Sequence, residues 1–178
     1  MSDPVVWRVE ALAAPPLVAP CARCDGVARF DCTHRFRVNA QQHRLDVWLL
    51  YRCAGCGDTR KRRLLHRRAV ASLAPGLLDG YHRNDPALAW RHAFELRPDA
   101  PLPYRVERPP LSAEKPLVAR IEQPWDCALR WDRFLATELG WPRARVERAF
   151  RRGELRLPGV RSLARTVLHG QLLEATGP

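Results

Sequence analysis

The chain has 178 residues, with 30 Lys and Arg against 19 Asp and Glu, a formal net charge of +11 and a sequence pI near 10.4. That length holds one mid-sized domain or two to three small ones, and the charge excess favours a polyanionic partner, nucleic acid first. No run approaches 18 apolar residues, and Val9 to Pro20 is broken by Pro15 and Pro16 without a basic leader, so neither a membrane span nor a secretion signal is expected, and the expected location is cytoplasmic.

The run Pro4-Val5-Val6-Trp7-Arg8-Val9 is β-prone and is expected to add a strand beside a following hairpin, with Trp7 packed. Two Cys-x-x-Cys pairs, separated by 28 residues, then dominate the chain: Cys21 and Cys24, and Cys53 and Cys56. Each pair can curl both thiolates onto one ion, with Gly26 and Gly57 easing the turns. Four soft thiolates suit one structural Zn2+ in a closed tetrahedral site. Two disulfides and a thioredoxin-like redox pair are the alternatives. A reducing compartment disfavours the first, and the second would place a single motif at a strand-to-helix junction.

Between the pairs, Phe30, Cys32, His34, Phe36 and Val38 alternate with polar residues, as do Leu45, Val47, Leu49 and Tyr51 with Asp46, Trp48, Leu50 and Arg52. This period of two predicts a hairpin whose loop spans Asn39 to Arg44 and whose ends bring the cysteines together. Cys32, His34 and His43 read as packing or loop residues, and Arg37 and Asn39 as a possible small polar site beside the loop. After the second pair, Arg60, Lys61, Arg62, Arg63, Arg67 and Arg68 form a basic run without an acid, either a solvated strand or a phosphate-facing stripe.

Residues 69–97 read as two helical pieces separated near Pro75-Gly76, the second capped by Asp85 and opened by Pro86. Leu88, Trp90 and Phe94 are expected to bury against the hairpin, with His82 and His92 in surface or packing roles. Seven prolines between Pro98 and Pro124 read as a stiff connector interrupted by one edge strand at 102–107. A helix from Arg130 to Gly140, a second from Pro142 to Gly153, a strand at 154–157 and a turn and strand after Gly170 follow. Arg145, Arg148 and Arg152 share one face of the second helix, opposite Val146, Ala149 and Phe150. The expected class is α+β in three parts: a 1–68 zinc-ribbon β domain, a 69–124 helical and proline-rich connector, and a 125–178 helix-helix-strand module.

The C-terminal stretch, with Arg130-Trp131-Asp132-Arg133-Phe134-Leu135, Pro142-Arg143 and Arg152-Gly153-Glu154-Leu155-Arg156-Leu157, resembles the alpha-L RNA-binding motif of a small-subunit ribosomal protein, tyrosyl-tRNA synthetases and pseudouridine synthases. The resemblance implies RNA contacts at Arg133, Arg143, Arg148, Arg151 and Arg152, to which the arginine face adds Arg145. Trp131 and Pro142 depart from the leucine and serine usual there. Across nearly its whole length the chain resembles the uncharacterised bacterial family named domain of unknown function ten-sixty-two. The shared features are the paired cysteines, Phe36 to Ala40, Leu45 to Cys53 and Asn84-Asp85-Pro86. That name implies no activity.

Three functions follow from these readings. The first is a non-enzymatic zinc-containing protein that binds ribosomal or transfer RNA or a ribosome-associated complex. The second is a DNA-binding or protein-interaction zinc ribbon working through the 60–68 run. The third is an RNA-modifying enzyme or its accessory subunit, for which the sequence offers no phosphate-cradling loop, nucleophile elbow or zinc-protease helix.

Overall fold

The computed structural model describes residues 3–41, 43–111 and 116–176. Strands β1 (Val5–Ala11) and β2 (Leu17–Cys21) precede a long hairpin of β3 (Gly26–Gln41) and β4 (Arg44–Cys53), then β5 (Thr59–Ala69) and a 3-10 turn at Val70–Ser72. Helices α1 (Leu77–His82) and α2 (Pro86–Ala93), strands β6 (Tyr104–Glu107) and β7 (Leu117–Glu122), helices α3 (Trp131–Leu139) and α4 (Arg143–Arg152), and strands β8 (Leu155–Arg156) and β9 (Leu172–Ala175) follow. The class is α+β, as the sequence predicts.

Contacts divide the chain into one unit of Ala14–Arg97 and another of Met1–Ala13 with Pro98–Pro178. This differs from the expected three-part division for two reasons. The helices of the supposed connector pack on the hairpin, and its strands enter the second unit's sheet.

The first unit is an antiparallel sheet in the order β2-β3-β4-β5 with helices on one face. On β4 the expected alternation holds: Leu45, Val47, Leu49 and Tyr51 are buried while Asp46, Trp48 and Leu50 between them are half-buried. The strands of the hairpin run further than expected, to Gln41 paired with Arg44, so the loop is shorter; Gln42 lies outside the described residues. Between Cys32 and Phe36, β3 advances four residues while β4 advances two, from Tyr51 to Leu49. An insertion of two residues preserves the strand's face, so Phe30 and Phe36 both remain in the core, and His34 takes a left-handed φ of 56° within the irregularity.

Helix α2 begins as its sequence dictates: Asp85 caps Leu88 N–H at 3.0 Å and Pro86 opens the first turn. Its fully buried residues are Ala89 and Ala93, whose small size lets the backbone approach the sheet, while Leu88, Trp90 and Phe94 are half-buried. Tyr81 from α1 fills the gap against Phe36, and its hydroxyl meets His92 Nε2 at 3.0 Å. His92 is therefore a packing residue. The second ring nitrogen faces Glu95 at 2.8 Å, and Arg62 reaches the same carboxylate at 2.8 Å.

The second unit is a mixed sheet in the order β6-β1-β7-β9-β8. Here β1 pairs antiparallel with β6 and parallel with β7, not with the hairpin beside it in sequence. Trp7 fixes this choice by packing edge-on against Phe134 of α3, which Tyr104 and Trp131 also touch. β6 is the edge strand that the sequence predicts, but β7 is a central strand with Leu117, Ala119 and Ile121 buried, so the stretch is no mere connector. Gly140 and Gly153 end α3 and α4 with φ of 64° and 72°, a conformation that glycine adopts without steric cost.

Candidate functional site

The four cysteines converge at the end of the first unit's sheet. Cys21 closes β2, Cys24 lies in the turn to β3, Cys53 closes β4 and Cys56 lies in the turn to β5. Their sulfurs all lie within 4.8 Å of one another, with Cys21 to Cys56 at 3.5 Å and Cys24 to Cys53 at 3.6 Å. Tetrahedral ligation at ~2.3 Å places sulfurs about 3.8 Å apart, so the set fits one four-coordinate metal ion. All six cysteines are free thiols, and Cys32 and Cys127 stand outside the cluster.

The local backbone explains the convergence. Cys24 N–H donates to Cys21 carbonyl at 3.2 Å, and Gly57 N–H donates to Cys53 carbonyl at 3.0 Å, so each pair closes a tight turn. Gly57 adopts a φ of 75°, but at the first turn the left-handed residue is Asp25, with φ 50°, and not Gly26 as the sequence suggests. The N–H groups of Cys56 and Gly55 point at Cys53 sulfur and lower its pKa to about 7. Hydrogen bonds to the sulfurs of Cys56, Cys53 and Cys21 push Cys24 up to about 12. Backbone donors aimed at sulfur favour the thiolates that a metal requires.

Gly55 has a second role. A methyl group there would stand 3.3 Å from Cys24 Sγ and 3.9 Å from Cys53 Sγ. Sulfurs held on a metal cannot yield, so Gly55→Ala is expected to weaken metal binding about ten- to hundredfold, as displaced metal-site neighbours do. Competition against a chromophoric chelator measures this, and an unchanged affinity would show that the cluster has slack.

The basic run on β5 is divided between the two faces of the sheet. Arg60 turns to the core side, donating to Pro20 carbonyl at 2.7 Å with its guanidinium 5.7 Å from the centre of Phe30. Arg62 is committed to Glu95 and to His92 carbonyl, the latter at 2.5 Å. Arg67 N–H donates to Asp46, and its carbonyl accepts from Arg44. Lys61 pairs with Leu50 and Arg63 with Trp48 on the opposite, outer face, while Arg68 is exposed beside Leu45. Arg37 and Asn39 lie within β3, in register with Trp48 and Asp46.

In the second unit, α3 and α4 form a pair held by a buried carboxylate. Asp132, 3 % exposed, accepts from Arg130 at 3.0 and 3.1 Å and from Arg143 at 2.5 Å. Burial opposes its ionisation, but the hydrogen bonds from Arg130 and Arg143 prevail and hold the carboxyl below its usual range. A depressed folded-state pKa adds stability above the unfolded value, and that stability is lost as pH falls through the folded one. Asp132→Asn is therefore expected to cost about 1–3 kcal/mol at pH 7 and much less in acid. Denaturant unfolding at both pH values checks this, and equal midpoints at pH 7 would remove the ion pair from the account.

Of the six arginines singled out in this unit, Arg143 thus joins the two helices. Arg145 lies 3.9 Å above the Trp141 ring, Arg151 reaches back to Glu147 carbonyl at 3.4 Å and Arg152 lies 3.8 Å from Glu154. All six, including Arg133 and Arg148, are exposed. A cleft between α4 and residues 162–164 gathers Arg130, Arg143 and Arg151 over Phe150 and Leu163. Sequence reasoning does not place Arg130 among the candidate RNA residues, although its position two residues before Asp132 is a usable signal.

No helix among the described residues is long and apolar enough to cross a membrane. No curated protein and no solved structure matches the chain. A family model described as "Protein of unknown function (DUF1062)" matches residues 38–159, a span that takes in Cys53, Cys56, both helix pairs and β8 but begins after Cys21 and Cys24. The chain belongs to that family.

Proposed function

We propose that this protein is a zinc-stapled, non-enzymatic RNA-binding protein of the cytoplasm, acting on ribosomal or transfer RNA or a ribosome-associated complex. One zinc ion on Cys21, Cys24, Cys53 and Cys56 supplies structural cross-linking, and the α3–α4 pair, read as an alpha-L-like module, supplies the RNA contact.

The observation that carries the RNA reading is the arginine face of α4. Within one ten-residue helix, five arginines are exposed against a single acid, Glu147, while Val146 and Ala149 are buried on the far side. A lone solvated helix gains nothing from such like-charge crowding, since unscreened like charges repel at helical spacing. A phosphate backbone relieves that repulsion and releases counterions. Support also comes from the order α3, α4, β8, which parallels the motif, and from the cleft beside Arg130, Arg143 and Arg151. The zinc reading is supported by sulfur spacing and by an all-thiolate ligand set.

The test is binding of the whole protein to bulk cellular RNA across a salt series, beside an Arg148→Glu, Arg152→Glu variant. A steep salt dependence that the variant loses supports the reading. Equal, salt-insensitive binding by both would overturn it and leave the helix pair as a packing module.

A further inference from the structure

The outer face of the first unit's sheet carries a second feature, separate from the α3–α4 pair. Leu45, Val47, Leu49 and Tyr51 turn to the helix-covered face, so the alternate residues of β4 turn the other way. At the centre of that outer face is Trp48, with Arg37 of β3 and Arg63 of β5 as its register partners on either side. Lys61 lies beside Leu50 on the same face, ~7 Å along β5 from Arg63.

Several facts set this row apart from ordinary surface. Trp48 takes no part in the unit's core cluster, although it is a large aromatic residue on a central strand. The side chains of Arg37, Lys61 and Arg63 are exposed and make no hydrogen bond or ion pair among the described residues, whereas those of Arg60 and Arg62 on β5 are both engaged. Neither neighbouring guanidinium stacks on the indole; among the described residues of this unit, the cation–π contact is Arg60 on Phe30. The acids of the outer face have hydrogen-bond partners of their own: Asp46 accepts from the Arg67 backbone N–H and meets the His66 ring, with the Arg63 charge nearby, and Asp31 accepts from Arg29. What remains is an aromatic ring on a central strand, flanked by exposed cationic side chains that no side-chain hydrogen bond or ion pair holds.

We propose that this face binds single-stranded nucleic acid, with a base stacked on Trp48 and phosphates against Arg37, Lys61 and Arg63. Sheet-borne aromatics with basic neighbours suit this ligand because every base offers a π-face and every linkage a charge. A duplex presents no free base face and cannot use the indole. The inference goes beyond the α3–α4 reading and does not depend on it.

The experiment is fluorescence anisotropy of a labelled twelve-nucleotide oligouridine with the whole protein, with a twelve-base-pair RNA duplex as competitor. Trp48→Leu, which keeps an apolar side chain, is expected to weaken binding about ten- to hundredfold, and Trp48→Phe to keep most of the affinity. Arg37→Gln with Arg63→Gln is expected to lower the salt slope by about 1.4, from ~0.7 per single-strand phosphate contact. Circular dichroism confirms that each variant is folded. Unchanged oligouridine affinity in Trp48→Leu with Trp48→Phe also unchanged, or competition by the duplex as strong as by unlabelled oligouridine, would overturn the proposal. Because these variants leave Arg148 and Arg152 intact, failure here is distinct from failure of the helix-pair reading.

Discussion

Chelation of the metal, or Cys24→Ser, is expected to unfold the Ala14–Arg97 unit outright. The reason lies in what the cluster joins. It ties the β2–β3 turn to the β4–β5 turn at one end of the sheet, and α1 and α2 rest on β3 and β4. Structural zinc binding contributes roughly 10–16 kcal/mol in small peptides, whereas whole domains are stable by only about 5–15 kcal/mol. Of the twelve described residues buried in this unit's hydrophobic core, two are the ligands Cys21 and Cys53 and three are alanines, Ala14, Ala89 and Ala93, so losing the ion also opens the core at the end of the sheet where the cysteines lie. Metal analysis is expected to give one zinc per chain, and thermal unfolding followed by circular dichroism should lose the transition of this unit in Cys24→Ser. A variant that keeps its cooperative transition would refute the structural-metal account. Recovery of stability under oxidation alone would instead favour disulfides, which the sulfur spacing would place between Cys21 and Cys56 and between Cys24 and Cys53.

What can be read from sequence follows the range of the physics. Local patterns are legible: the alternation of Leu45 to Tyr51, the cap at Asp85, and the glycines ending α3 and α4 each depend on residues a few positions apart. The cysteine cluster is legible because metal geometry demands particular spacings in sequence. Pairing partners are not. The β propensity of Val5 to Val9 says nothing of which strand it joins, and its partners lie at 104–107 and 119–122. β7 itself is hidden among prolines, although Leu117, Ala119 and Ile121 alternate with Val118, Arg120 and Glu122 as any half-buried strand does. The irregularity at 33–35 leaves no trace because inserting two residues keeps the hydrophobic period in phase. In the basic run of β5 the sequence shows charge but not side: strand parity and the helices above the sheet turn Arg60 and Arg62 to one face and Lys61 and Arg63 to the other. The same limit conceals the role of Arg143, which sequence resemblance assigns to RNA and which the fold also uses to hold Asp132.

Reversing charge at Arg148 and Arg152 is expected to lower RNA affinity by about one to two orders of magnitude near physiological salt and to reduce the salt slope by about 1.4 to 1.8. The slope follows from counterion release, at ~0.7 per neutralised phosphate on single strands and ~0.9 on a duplex, with each of the two arginines matched to one phosphate. The affinity loss exceeds mere removal because each glutamate also repels the backbone. Folding is expected to survive. The Arg148 side chain makes no hydrogen bond or ion pair among the described residues, and the Arg152 side chain contributes only a 3.8 Å exposed pair with Glu154, a kind of interaction worth about 0–1 kcal/mol. A glutamate in the last turn of α4 costs roughly a further 0.3–1 kcal/mol against the helix dipole, within reach of a stable unit. Arg143 is the wrong residue for this experiment, because its loss would also strip Asp132 of a partner and confuse binding with stability. Arg133, exposed on α3, extends the test: if both helices face the same RNA, adding Arg133→Glu should deepen the loss. A double variant that binds as tightly as the native chain, with the same slope, would remove α4 from the interface and return the excess positive charge to the outer face of the sheet.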